Sequence, residues 1–361
     1  MDRGDFTAAR LHMDRYRATA ESLVQLAPGD AESVQELSYA LNNQGTVAVA
    51  LQDYASAAQA FEQSMNLKRQ LVIDKPDDDA RRIDLSNSIS WLARARSSAG
   101  QLADARRLYM QEQDVLRELH GRQRSNAEWA GRLASSLSQR SEIEESLGND
   151  AESAQLLDEA EQLSREIVRA DPSNLTQQKH RLVIMGSQLR ARATSGESVS
   201  LSEWRELQSR LATLTAKEPD STYLGRLSLG IHVSIAEFAM RLADWRLARA
   251  EIDAASRMSG KESVTIGKDP RVRTKLAQVL LLDADLNRAL GNTLESEKKC
   301  VAAQNMLAPV RSRTSDFVAL ATIVRAHACV GKLKDVAVER RKLEAMQYRA
   351  SAYLNYLSTH Q

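Results

Sequence analysis

The chain has 361 residues, a length at which globular chains ordinarily form two or three domains but which a single repeat array can also reach. Its 49 basic and 48 acidic side chains almost cancel, which argues against the strong positive charge of a DNA- or RNA-binding surface. The N-terminal residues lack the apolar core of a signal peptide, and no apolar run reaches the roughly 18 residues that span a bilayer. We therefore expect neither a nucleic-acid partner nor membrane insertion.

A small or polar residue returns at a fixed interval and is expected to open a helix each time. The interval is 48 residues, with a one-residue slip before the sixth position and a shorter last step, at Gly4, Gln52, Gly100, Gly148, Gly196, Ala243, Gly291 and Gly331. Prolines end four units with nearly the same spacing, at Pro28, Pro76, Pro172 and Pro219. Periods of about 20–50 residues indicate repeat architectures, whose units bury their apolar faces by stacking. With few aromatics and almost no alternating β-branched runs, the predicted class is all-α.

The first helix of a unit is predicted over about Ala31 to Leu51. Leu37 and Leu41 lie four residues apart and therefore on one helix face, and the pair recurs in the next two units. A small residue follows one turn later in five units, at Gly45, Ala93, Ser141, Ala236 and Ala284. Since glycine inside a helix costs about 1 kcal/mol relative to alanine, we expect Gly45 to serve close helix packing.

The second helix is longer and carries an apolar stripe over some 23 residues. Its members in three consecutive units are Ala57, Phe61, Leu67 and Leu71, then Ala105, Tyr109, Val115 and Leu119, then Ser153, Leu157, Leu163 and Ile167. Lys75–Asp78 and Asp171–Asn174 are expected to stop this helix and to cap the next one.

The hairpin from Gln52 through Asp53 and Tyr54 to Ala57 and Phe61 resembles the tetratricopeptide repeat family. The shared pattern is a small residue midway in the first helix, a polar and aromatic turn, alanine five residues later, a large residue four beyond it and a terminal proline. The resemblance implies a right-handed α-solenoid of antiparallel helical hairpins, whose first helices line a concave groove. The family period is 34 residues, so a 48-residue unit implies an extended second helix and exit turn.

The domain expected from the resemblance is one solenoid over residues 1–361, of about seven hairpins. Residues 1–175 carry regular repeats, and residues 176–361 carry divergent repeats and a C-terminal capping helix. Because Gly4 already lies at a hairpin turn and terminal repeats of a solenoid usually need a capping element, we expect a fragment or domain of a longer protein.

Catalytic and metal sites are not indicated, so we expect no enzyme activity, cofactor or metal ion. The six histidines are scattered with no metal-ligand spacing. Gly260-Lys261 and Gly267-Lys268 lack the upstream glycine and the strand of a phosphate-binding loop. Cys300 and Cys329 provide neither metal spacing nor a disulfide framework, which favours the reducing cytoplasm.

The expected function is binding of a protein or extended peptide by a non-enzymatic scaffold. Polar and aromatic side chains of the first helices are the candidate binding residues, because amides can pair with a peptide main chain and Trp and Arg are frequent interface anchors. They are Tyr39, Asn42, Asn43, Asn87, Trp91, Arg94, Gln139, Glu142 and Arg190. Two alternatives stay open: these are ordinary exposed helix positions, or the chain is the regulatory or sensor region of a larger signalling protein with a kinase or other effector domain.

Overall fold

The computed structural model describes residues 6–261, 270–312 and 314–360, and it confirms the all-α solenoid class. Helix accounts for 84% of the described residues, none of which lies in a strand, and sixteen α-helices follow one another in tandem. None of the described helices is long and apolar enough to cross a membrane. Gly4 and the Gly267-Lys268 segment, both singled out above, lie outside the described residues.

The chain divides into two compact units, residues 1–143 and 144–361. Six helices begin in the first unit, and the last of them continues to Ser146. They are α1 Phe6–Leu26, α2 Ala31–Ala50, α3 Tyr54–Asp74, α4 Asp79–Ser98, α5 Leu102–Arg122 and α6 Ala127–Ser146. In this unit, α3 packs against both α2 and α4, so each second helix lies between two first helices.

The second unit contains ten further α-helices in the part of the chain that the structure describes. They are α7 Asp150–Ala170, α8 Leu175–Ser195, α9 Leu201–Lys217, α10 Thr222–Arg241, α11 Trp245–Lys261, α12 Pro270–Ala289, α13 Thr293–Arg311, α14 Phe317–Ala328, α15 Ala337–Ala345 and α16 Ser351–Thr359. A short 3₁₀ helix, Leu333–Val336, precedes α15.

The recurring residue ends the first helix instead of opening the second. It has a left-handed backbone, with φ between 55° and 84°, at Gln52, Gly100, Gly148, Gly196, Ala243, Gly291 and Gly331. In each turn the next residue's N–H donates to the carbonyl five residues earlier, as from Asp53 to Ala48 at 2.9 Å and from Gln101 to Arg96 at 2.8 Å. This is the Schellman motif, which satisfies the last free carbonyls of a helix and favours glycine. The expectation that these residues open helices was therefore wrong.

The exit turns after the second helices act as expected. Helix α3 ends at Asp74, and the Asp78 side chain then accepts a hydrogen bond from the N–H of Arg81 as the N-cap of α4. Asn174 caps α8 in the same way through the N–H of Gln177, at 3.1 Å. Caps of this kind satisfy one of the free N–H groups of the first turn.

The core of the first unit lies between the helix pairs and includes the apolar stripe. Phe61 is 3% exposed and belongs to a cluster with Met65, Leu85 and Ile89. A Cβ at position 45 would lie only 2.5 Å from Cε1 of the Phe61 ring. Gly45 therefore has the packing reason expected, because only a residue without a side chain lets α2 approach that ring.

Gly45→Ala should lower the free energy of unfolding, by about 1–3 kcal/mol, because the new methyl group overpacks the Phe61 ring. Gly186→Ala in α8 is the matched control, since its Cβ would meet Leu207 at 3.5 Å, an ordinary contact. There the higher helix propensity of alanine should raise stability by up to about 1 kcal/mol. Chemical denaturation of both variants measures the difference, and a stabilised Gly45→Ala would contradict the close approach.

The two cysteines differ from expectation. Cys300 at 0% exposure and Cys329 form a disulfide between α13 and the end of α14. The expectation that neither belongs to a disulfide was therefore wrong, because helices 29 residues apart along the chain bring the two side chains together.

Candidate binding face

Eight of the nine candidate residues lie on the first helices α2, α4 and α6 of the first unit. We call the surface formed by these side chains the first-helix face. Asn43, Trp91, Arg94 and Glu142 are exposed, whereas Tyr39, Asn87 and Gln139 are half-buried. The exposed set contains an amide, an aromatic ring and both charges, so the face can donate and accept hydrogen bonds as well as pack against apolar groups.

Successive first helices are joined side chain to side chain in a constant register. The Tyr39 hydroxyl on α2 donates to the Asp84 carboxylate on α4 at 3.0 Å. The guanidinium of Arg132 on α6 donates to the Asn87 amide oxygen on α4. Both pairs span 45 residues, and both members of the second pair lie 48 residues after those of the first. This register aligns equivalent positions of α2, α4 and α6 as neighbours.

Trp91 is 38% exposed and is packed on one side only. Its ring lies 5.9 Å from that of Phe61, at an interplanar angle of 43°. The remaining ring surface is open to a partner, while the packed part belongs to the fold. Trp91 therefore serves both roles that sequence reasoning treated as alternatives.

Lys68 is a buried cation beneath this face that sequence reasoning missed. The residue is 3% exposed, and its ammonium lies 5.1 Å from the centre of the Tyr39 ring and 6.0 Å from that of Trp91. Its Nζ donates to the Asp84 carbonyl at 3.4 Å. Burial lowers the pKa of Lys68, and the Asp84 charge opposes that shift. The signal in the sequence was a lysine where the next unit has Leu116, 48 residues later.

Glu112 on α5 is a buried carboxyl that sequence reasoning also missed. It is 5% exposed and accepts a hydrogen bond from the Ser136 hydroxyl at 2.8 Å. Burial raises the pKa of Glu112 to about 7, while the Ser136 and Ser90 hydroxyls and the Arg132 and Arg94 guanidinium groups oppose the shift. The folded state therefore favours the neutral carboxyl near neutral pH.

The raised pKa of Glu112 makes stability fall with rising pH. The folded protein holds this proton up to about pH 7, whereas the unfolded chain releases it near pH 4.5, so the contribution is complete below pH 4.5 and is lost by about pH 7. Glu112→Gln, which stays neutral, should gain stability over the wild type as pH rises, reaching about 3 kcal/mol above pH 7. Denaturation curves from pH 4.5 to 8.5 test this, and parallel profiles would contradict it.

Asn42 and Gln139 are less available to a partner than expected. Asn42 is 4% exposed, and neither atom of its amide has a hydrogen-bond partner among the described residues. It faces the helix interior because it is one turn before the buried Gly45. Gln139 accepts a hydrogen bond from the Tyr109 hydroxyl at 3.0 Å and donates to Ser135 at 3.1 Å. These two amides are committed to the fold, which leaves Asn43 as the exposed amide of the set.

Arg190, the ninth candidate, belongs to the second unit. Its guanidinium forms an ion pair with Glu145 at 3.0 Å, which also spans 45 residues. Both side chains are about one-third exposed. Among the described residues, no group of three or more His, Cys, Asp or Glu side chains could hold a metal ion.

Comparison with known proteins gives likeness at the level of structure. No family model matches the sequence, and no curated protein matches it. Among solved structures, aspartyl phosphate phosphatase F from Bacillus subtilis aligns at a TM-score of 0.54 and 11% identity, over 90% of this chain and 74% of that one.

Two further structures align at comparable scores. The apo form of RapI gives a TM-score of 0.52 at 10% identity, over 85% of this chain and 94% of the other. A Rap protein complexed with competence and sporulation factor gives 0.50 at 10% identity, over 100% and 90%. At such low identity the likeness concerns the fold alone. The chain has a tetratricopeptide-like repeat fold.

Proposed function

We propose that the first-helix face of α2, α4 and α6 binds an extended segment of another protein and performs no chemistry of its own. The observation that carries this proposal is the constant register between successive first helices, which sets Asn43, Trp91, Arg94 and Glu142 at corresponding positions on one surface. An extended chain needs such regularly spaced anchors and polar groups along its length.

The composition of the face supports a protein partner over a nucleic acid. Exposed Arg94 and Glu142 carry opposite charges at equivalent positions, whereas a phosphate backbone calls for a row of cations. Trp and Arg are the residue types most often found at the energetic centre of protein interfaces. A neighbour of similar fold is described in complex with competence and sporulation factor, so the fold can support partner binding.

The remaining sequence-based expectations join this proposal. We propose a tetratricopeptide-like unit of 48 residues, because the seven left-handed turns recur with nearly that spacing. We also propose a cytoplasmic location, where Cys300 and Cys329 would be held as thiols. Regulation of an attached effector domain is favoured by no observation on the described residues.

The test uses the whole chain as bait in a pull-down from cell extract, with Arg94→Ala and Arg107→Ala as paired variants. Arg107 lies on the second helix α5 and its side chain is 74% exposed, which makes it a matched arginine away from the face. A partner that uses the face is retained by the wild type and by Arg107→Ala and is lost with Arg94→Ala. Equal retention by both variants would reject the face.

A further inference from the structure

The last helix, α16, lies on the first helices of the second unit. It packs against α14, and the Tyr356 hydroxyl donates to the Asp285 carboxylate on α12 at 3.5 Å. The Arg325 guanidinium on α14 stands 4.5 Å from the centre of the Tyr356 ring. Asp285 and Arg325 each lie six residues before a left-handed turn glycine, the position that Arg94 holds in the first unit. Helix α16 therefore covers the equivalent of the candidate binding face.

The start of this C-terminal segment, residues 347–360, is held against the first turn of the same unit. The N–H of Arg349 donates to the Ser146 carbonyl at 2.7 Å, and the Ser351 hydroxyl donates to the Asp150 carboxylate at 2.6 Å. A Cβ at position 148 would lie 2.9 Å from the Arg349 carbonyl oxygen. Gly148 thus provides both the left-handed turn and the space into which the segment fits.

The segment depends on the surface beneath it for its order. Helix α16 has nine residues, and isolated helices shorter than about 12 residues are marginal in water. Tyr353 and Tyr356 are 7% and 9% exposed, so these two tyrosines form most of its buried side. Just before the segment's first contacts, Gln347 has a φ of 57°, a left-handed backbone that is costly for a residue with a side chain. The segment can therefore detach at this residue without unfolding α14.

The covered surface keeps polar groups that the segment satisfies only in part. The Nε of Arg325 is buried and has no hydrogen-bond partner among the described residues. The Arg288 guanidinium contacts the His360 ring, which stacks on Tyr356 at 4.0 Å. A surface built only to cap the solenoid would be apolar. This one presents a carboxylate and two guanidinium groups to tyrosine and histidine.

We propose that the α12–α14 surface around Asp285 and Arg325 is a docking site for a short segment of another protein with two tyrosines three residues apart, and that residues 347–360 occupy it as an internal competitor. The chemistry of the occupant follows from the segment now seated there, in which one tyrosine ring lies under a guanidinium and its hydroxyl meets a carboxylate. A tethered segment acts at an effective concentration of the order of mM. An external segment therefore binds well only once the tether is displaced.

The test uses the full chain and a fluorescent peptide with the sequence of residues 351–361, which lacks the Arg349 contact. Gly148→Ala should push Arg349 away and free the surface. Gly196→Ala is the matched control, since its φ of 84° matches the 83° of Gly148 while its Cβ would meet nothing within 4 Å. Both variants carry the same backbone strain, and only one of them disturbs the segment.

Gly148→Ala should bind the peptide at least about tenfold more tightly than the wild type, the factor expected if the tether is closed nine-tenths of the time or more. Gly196→Ala should bind as the wild type does. A peptide with alanine at both tyrosines should not bind, and Arg325→Ala added to Gly148→Ala should remove the gain. Equal peptide binding by Gly148→Ala and Gly196→Ala would overturn the proposal. Dimers of Gly148→Ala without peptide binding would overturn it too, and would assign the surface to a second copy.

If Gly148→Ala does not fold, as judged by circular dichroism, the wild type answers the same question. Saturating peptide should then speed hydrogen exchange in residues 351–359 while α12 and α14 stay protected. Unchanged exchange in residues 351–359 would overturn the proposal. Arg94→Ala should leave every one of these results unaltered, so failure here is separable from failure of the first-helix face.

Discussion

Phe61→Ala should lower the free energy of unfolding by about 3–5 kcal/mol. The ring is 3% exposed, fills the space opened by Gly45 and contacts Trp91, so its removal leaves a cavity between three helices. In a repeat array each unit contacts mainly its neighbours, and the loss should be largest in α2, α3 and α4. Hydrogen exchange followed by mass spectrometry measures the protection of each helix.

Phe238→Ala in the second unit is the matched control. Phe238 is 6% exposed and packs near Trp204, with ring centres 6.1 Å apart, so the same atoms leave a comparable core. Its loss of protection should centre on α8, α9 and α10, and each variant should spare the helices most affected in the other. Uniform loss of protection along the chain in either variant would contradict nearest-neighbour stabilisation.

Trp91→Ala and Arg94→Ala should each weaken binding of a partner that uses the first-helix face by about 2 kcal/mol or more, roughly thirtyfold in the dissociation constant. The two effects differ in stability. Arg94 is exposed, so its removal should leave the free energy of unfolding nearly unchanged. Trp91 packs on Phe61, so its removal should also destabilise the first unit.

Trp91→Phe separates these two effects, because it retains a ring against Phe61 while reducing the open surface. Stability should recover toward that of the wild type, and binding should stay weaker. Calorimetric titration of the identified partner, with denaturation of each variant, gives both quantities. The face is rejected if Arg107→Ala weakens binding as much as Arg94→Ala does, since Arg107 lies on the second helix α5.

The sequence by itself determined the helices and their ends, because the forces that set them are local. A left-handed residue such as Gly100 completes a Schellman motif within six residues, and Asp78 caps a helix through an N–H three residues ahead. The apolar stripe through Phe61 and the role of Gly45 follow from helical spacing of 3.6 residues per turn. The fold class could therefore be predicted without any tertiary contact.

The tertiary structure alone decided which polar side chains are free, because burial depends on helices far apart in sequence. Lys68 and Glu112 occur on helices where charged residues ordinarily face water, yet first helices on both sides enclose them. Asn42 carries a surface-type side chain and is buried.

The same reason explains Arg190 and the C-terminal segment. Glu145 meets Arg190 across 45 residues, and Ser351 meets Asp150 across 201 residues. Local periodicity contains no information on such pairings, since each requires the helices between them to be packed first. The sequence could therefore place a capping helix at the end of the chain, and only the packed second unit shows that this helix covers Asp285 and Arg325.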